Sequence, residues 1–197
     1  MSKGDFIGAP MTDTKGYMRP DEVKQVIDHT RNLRDRTILW LLWATGCRLN
    51  ELLILTVEDV SFRDRALYMW TLKRKKSYQR VVLVDNAALD LIKEYMKEYG
   101  VKKGPLFNVK DRRVEQIVYE AGVAAGIPKV GKKIIHPHHF RHSHCVAWVK
   151  ANPTVEGLRK LQQRMGHASI TTTAHYLQFA FEEQREDVEK VLGEITR

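Results

Sequence analysis

Cysteine is scarce in this chain of 197 residues, and the two that occur, Cys47 and Cys145, each sit in an apolar, helix-like setting. That excludes a disulfide framework and leads us to expect reduced thiols in an intracellular, cytoplasmic protein. Long apolar runs are missing as well. The longest, Thr37 through Cys47, falls short of the roughly 18 residues that a membrane span needs. The opening Met-Ser-Lys-Gly-Asp-Phe has no apolar stretch of the secretory kind, and no internal repeat or low-complexity tract follows it. Negative charge is the other shortage. Against 33 Lys and Arg stand 24 Asp and Glu, and the net +9 favours a polyanionic partner such as nucleic acid. Charge alone does not separate that partner from a membrane surface.

What is present suits one globular domain with a substantial core, since 43% of the residues are apolar and 29% charged. Residues 1–16 are polar and without period, and read as a tail or linker. A helix start is marked by Arg19-Pro-Asp-Glu, with its early proline and acidic first turn. Thr37 to Ala44 is apolar nearly all round, which predicts a buried helix stopped at Thr45-Gly46. Glu51 to Thr56 could add a helical turn. Ala66 to Leu72 and Arg80 to Val84 have the β-branched and aromatic makeup of two strands, joined by a basic hairpin tip, Lys73-Arg-Lys-Lys-Ser-Tyr-Gln. Helical periodicity then returns over 87–99, 113–125, 138–151, 154–164 and 181–195. The expected class is mainly α with a small antiparallel β-sheet.

Three segments hold residues suited to chemistry. Arg48 follows the glycine stop directly, where the preceding buried helix could hold its guanidinium for bidentate gripping of phosphate oxygens. A plain surface ion pair with Glu51 is the competing reading. Five histidines crowd residues 136–144, and among them His138 and Arg141 share one face of a helix start, a place with its own affinity for anions. His138 and His142 also stand four apart, as helical zinc ligands do. Yet no Asp or Glu lies between Val130 and Ala151 to complete a metal site, and His-Glu-x-x-His is absent. The third segment is Met165-Gly-His-Ala-Ser-Ile-Thr-Thr-Thr-Ala-His-Tyr176. Alone, His167 would be a satisfied loop histidine and Tyr176 a half-buried core aromatic.

Together, Ala44-Thr-Gly-Cys-Arg-Leu-Asn-Glu-Leu, Pro137-His-His-Phe-Arg-His-Ser and the Met165–Tyr176 segment resemble the catalytic domain of the tyrosine recombinases, the phage integrase and Xer family. Order, internal spacing and separation all match, over roughly residues 17–180. The resemblance implies the recombinase catalytic fold and a site-specific DNA strand-exchange enzyme that uses no metal and no cofactor. Arg48 and Arg141 would clamp the scissile phosphate, with His138 and His167 completing the pocket. Tyr176 would attack the phosphorus to give a 3′-phosphotyrosyl link, with His138 as the base and His167 as a hydrogen-bond donor. A hairpin lysine would protonate the leaving 5′-oxygen. Lys73 is preferred if the hairpin is long and Lys75 if it is short. Arg74, Lys75, Lys76 and Arg80 would contact the DNA backbone. A DNA-binding regulator without catalysis and a type IB topoisomerase are the alternatives.

Two local departures are Met165, where leucine is common, and Leu83, where a proline often ends the second hairpin strand. The helical DNA-clamping domain that usually precedes this fold has only some seventeen residues in its place, as in a fragment or in the short fimbrial phase-switch recombinases. Residues 181–197 hold six acidic and three basic side chains, and Val188, Val191, Leu192 and Ile195 form an apolar stripe that needs a partner. The resemblance implies a homo-oligomer, a tetramer on double-stranded DNA, with this tail helix exchanged in trans. Folding back onto its own domain is the alternative.

Overall fold

Pro20 opens the first helix, α1 (Pro20–Asp28), where its missing N–H costs nothing, and the Arg19 backbone N–H donates to the Glu22 carboxylate at 2.7 Å. The computed structural model describes residues 16–72 and 77–179, together with Val188 and Leu192. Helix α2 (Leu33–Thr45) begins four residues before the apolar run, because the Asn32 side chain caps it by accepting from the Asp35 N–H at 3.1 Å. Its Ile38, Leu39, Leu41 and Leu42 are all buried, so the all-round apolar pattern marks the centre of the core. Gly46 ends it in the left-handed region at φ 62°. A Cβ there would stand 2.6 Å from the His144 ring, so both backbone and packing require glycine.

A short helix, α3 (Leu49–Leu53), and a single 3₁₀ turn lead to strand β1 (Val60–Ser61). Strands β2 (Ala66–Thr71) and β3 (Tyr78–Leu83) follow. The three form one antiparallel sheet in the order β1-β2-β3. Thr71 pairs with Tyr78, so the hairpin connection is the longer of the two alternatives. Its tip, with Lys73, Arg74, Lys75 and Lys76, lies outside the described residues.

Helices α4 (Asn86–Glu98) and α5 (Asp111–Ala124) precede a second, two-stranded ladder, β4 (Lys129–Val130) with β5 (Lys133–Ile134). The expected single sheet is therefore two sheets. Strands of two residues have no period to read, which is why β1, β4 and β5 escape a sequence pattern. Helix α6 (Pro137–Ala151) packs against α2 and α7 (Val155–Met165), and a last short helix, α8 (Ile170–Ala174), was not expected. The main core gathers α1 through α6 with the sheet. A smaller cluster of Cys145, Val149, Leu158, Leu161 and Met165 lies between α6 and α7, and Tyr176 packs on it.

The expected tail helix over 181–195 falls mostly outside the described residues. Val188 and Leu192 are helical and a little over half exposed. No helix among the described residues is long and apolar enough to cross a membrane.

Candidate functional site

Arg48 caps the start of α3, and Glu51 one turn on accepts its backbone N–H at 3.1 Å and its guanidinium at 2.9 Å. The ion pair expected as a bland alternative is thus present, and it coexists with exposure: the Arg48 side chain is 45% accessible and lines a cavity of about 460 Å³. His138 and Leu72, the last described residue before the hairpin tip, line the same cavity. So do Asp111 and Glu115, acidic residues from α5 that no sequence motif singles out.

Arg141 sits at the back of this region, only 3% exposed. Its Nη1 donates to the Gly46 carbonyl at 2.8 Å, and its Nη2 to the Met165 carbonyl at 3.1 Å and to His167 Nε2 at 2.9 Å. One guanidinium therefore joins the three motifs, which lie far apart in the chain. Because arginine only donates, His167 Nε2 must be the bare nitrogen, and its Nδ1–H donates to the Thr173 hydroxyl at 2.9 Å. Thr173 is fully buried inside the Ile-Thr-Thr-Thr stretch and was not foreseen as a partner. The expected donor role of His167 toward phosphate thus meets a resting tautomer that has no Nε2 proton to give.

The charges in this region act on one another. Burial, and then the nearby Arg48 charge, lower the Arg141 pKa from its ordinary value. Burial followed by Arg141 pulls His138 down, and the same two causes take His167 to about 4. Both imidazoles are neutral at pH 7. A bound anion would relieve each of these costs at once, which makes the site's charge a preorganised feature.

Tyr176 is half-buried beside this pocket. Its ring centroid lies 5.2 Å from that of His142, and it packs on the cluster that contains Cys145. Burial first, and Cys145 second, raise its pKa above the ordinary phenol value, with Arg141 opposing them. The core-aromatic reading therefore describes the resting position of a residue that also lies in the field of Arg141. His142, spaced to share a metal with His138, meets Tyr17 and Phe179 edge-on and the Tyr176 ring at a tilt.

Arg80 corrects an expectation. The expected DNA contact is 7% exposed and turned inward. Its Nη2 pairs with Glu51 at 2.8 Å, Nη1 donates to Thr71 at 2.6 Å, and Nε to the Arg164 carbonyl at 2.8 Å. Glu51 thus bridges Arg48 and Arg80, and its pKa is lowered, against its own burial, by Arg80 and Arg48. Gly166, at φ 63°, is required here because a Cβ would meet the Thr71 hydroxyl at 2.8 Å.

Buried histidines make stability depend on pH. His139 and His144 are held at about 4 and about 3, in each case chiefly by burial. Between those values and about 6.5 the unfolded chain binds protons that the folded chain refuses, so stability must fall as pH drops through that window. Each contributes roughly 1.4 kcal/mol per pH unit. Urea midpoints should therefore fall clearly between pH 6.5 and pH 5, and a flat profile would show that these imidazoles are not buried neutral.

A buried guanidinium, Arg141, thus joins an exposed Arg48, two imidazoles and a half-buried tyrosine on the tyrosine recombinase catalytic fold. The chain belongs to the phage integrase family, whose model matches residues 16–183. The tyrosine recombinase XerA of Pyrococcus horikoshii is 32% identical over 173 residues, which cover 86% of this chain and 59% of that relative. The present chain thus spans about three fifths of that protein. Among solved structures, the XerH site-specific recombinase in its post-cleavage complex with a palindromic difH substrate superposes with a TM-score of 0.74 at 21% identity, covering 90% of this chain and 53% of that one. The catalytic domain of bacteriophage HP1 integrase gives 0.65 at 22% identity, covering 88% of this chain and 93% of that domain. These two likenesses are of fold.

Proposed function

We propose that residues 17–180 are the catalytic domain of a site-specific DNA recombinase acting on double-stranded DNA without metal or cofactor. The observation that carries this reading is the Arg141 guanidinium, which touches the Gly46 turn before Arg48 on one side and His167 on the other. Arg48 and Arg141 grip the non-bridging oxygens of the scissile phosphate. Phosphate oxygens then replace Arg141 as the partner of His167, which takes a proton from solvent on Nε2 as the anion binds and donates it to the phosphate in a hydrogen bond. The Tyr176 oxygen forms a bond to phosphorus as the bond to the 5′-oxygen breaks. His138, neutral at rest, takes the tyrosine proton, and a hairpin lysine gives one to the leaving oxygen. Lys73 is that lysine, with Lys75 as the alternative: the long hairpin and the place of Leu72 in the Arg48 cavity both support Lys73. Arg74, Lys75 and Lys76 then serve as backbone contacts.

In this reaction the Tyr176 ring, which packs on the cluster of Cys145, Val149, Leu158, Leu161 and Met165, presents its hydroxyl to the phosphorus. A nicked suicide substrate, from which the cleaved strand cannot be religated, should trap a covalent complex in the presence of EDTA. No trapping by folded protein on its cognate DNA would favour a regulator that has lost catalysis. Loss of trapping only with EDTA would revive a metal at the histidines. Supercoil relaxation without a defined target would identify a topoisomerase.

The tail is proposed to dock on a neighbouring protomer of a tetramer on DNA. Its net negative charge suits a protein surface better than DNA, and the helical Val188 and Leu192 stand one turn apart on the apolar stripe. Deleting residues 181–197 should abolish oligomers in gel-shift or sedimentation assays while monomer cleavage persists. Unchanged assembly would mean that the tail folds in cis.

A further inference from the structure

We propose that Arg164 is a positioning residue for the phosphate clamp, tying the segments that carry Arg48, Arg141 and the hairpin to the end of α7. This rests on the recombinase reading above. Arg164 directly precedes Met165-Gly166-His167 and belongs to none of the three motifs. Each of its guanidinium nitrogens serves a different segment. Nη2 donates to the Ala44 carbonyl at the end of α2, Nη1 to the Leu83 carbonyl at the end of β3 at 2.8 Å, and Nε to His144 Nε2 on α6 at 3.1 Å.

The consequences run straight to the pocket. Ala44 lies four residues before Arg48, and His144 one turn after Arg141. The Arg164 carbonyl accepts from Arg80 Nε, and Arg80 holds Glu51, which holds Arg48. The next carbonyl, that of Met165, orients Arg141 directly.

Three physical features single out a guanidinium. Among the described residues Arg164 has no carboxylate partner; its three acceptors are neutral, so its charge is kept in place by geometry. Burial and the Arg80 charge accordingly lower its pKa to about 10. His144 is kept neutral by burial and by Arg164, so its Nε2 can accept from Arg164. The guanidinium also lies 5.3 Å from the centroid of the Trp148 ring. Lysine brings the charge and the stem but no planar fork, so it cannot span three acceptors at once.

The test uses the whole chain with Arg164→Lys and Arg164→Ala, assayed well below their melting temperatures. On a suicide substrate at saturating DNA, the covalent-complex rate should fall tenfold or more in both variants, with the DNA dissociation constant within about threefold of wild type. Added guanidinium ion should restore part of the rate to Arg164→Ala. A wild-type rate in Arg164→Lys, or parallel losses of affinity and rate, would overturn the proposal. A second measurement needs no cleavage: the ¹⁵N shifts of the His167 ring in DNA-free Arg164→Lys should move, reporting a displaced Arg141. Unchanged His167 shifts overturn the positioning role even if the wild type proves inactive, whereas moved shifts with an inactive wild type would fault the recombinase reading alone.

Discussion

Tyr176→Phe should abolish covalent trapping on a suicide substrate while leaving DNA binding and folding intact. The change removes one oxygen, the one that forms the bond to phosphorus in the proposed reaction, so no other side chain should restore the step. The ring packs on the small cluster of Cys145, Val149, Leu158, Leu161 and Met165, and phenylalanine keeps that packing. The nearby Cys145 thiol is a weak hydrogen-bonding group, so loss of the hydroxyl beside it costs little. Gel-shift affinity and melting temperature should therefore stay near wild type. Residual covalent complex with Tyr176→Phe would point to a different nucleophile.

Arg141→Ala carries the second largest expected effect, and it acts on two levels. The transition state loses a preorganised donor to a developing negative charge, a change worth about 10²–10³ in rate. The folded state loses more than a charge. The Gly46 and Met165 carbonyls and His167 Nε2 are each left without their donor, and a buried unsatisfied group costs about 1–3 kcal/mol. The cleavage rate should thus fall by at least two orders of magnitude, together with a measurable drop in melting temperature. Arg48→Ala should lower the rate with a smaller loss of stability, because the Arg48 side chain is 45% exposed and its only described ion-pair partner, Glu51, keeps Arg80. DNA affinity should weaken little in either variant, since the proposed backbone contacts of Arg74, Lys75 and Lys76 are untouched. Equal losses in affinity and rate would argue that these arginines bind DNA without acting on the reacting phosphate.

Much of this site is legible from the chain because its chemistry needs particular side chains at particular spacings. The glycine stop before Arg48, the proline start before His138 and the glycine stop before His167 are local signals. Each is written within a few residues, and the structure has Gly46, Pro137 and Gly166 at the matching helix ends. The strands flanking the hairpin are legible through their β-branched and aromatic residues, and β3 alternates between exposed and buried from Gln79 to Leu83.

What stayed hidden depends on contacts between distant residues. Arg80 reads as one more cation in a basic hairpin, and only the position of Glu51, 29 residues earlier, turns it inward. Arg164 reads as an exposed helix terminus, yet it reaches a carbonyl 120 residues away. The tautomer of His167 follows from which neighbour faces which nitrogen, and composition does not encode that. The resting place of Tyr176 against Cys145 is a packing outcome of the α6–α7 cluster. Its motif specifies an aromatic hydroxyl, and the fold decides where that hydroxyl waits.

The most direct test is to trap the wild-type protein on a nicked suicide substrate, digest the complex, and locate the nucleotide-bearing residue by mass spectrometry. The expected result is a single adduct on Tyr176, joined to a 3′-phosphate. An adduct on another residue, a 5′-phosphate linkage, or no adduct from folded protein on its cognate site would contradict the assignment.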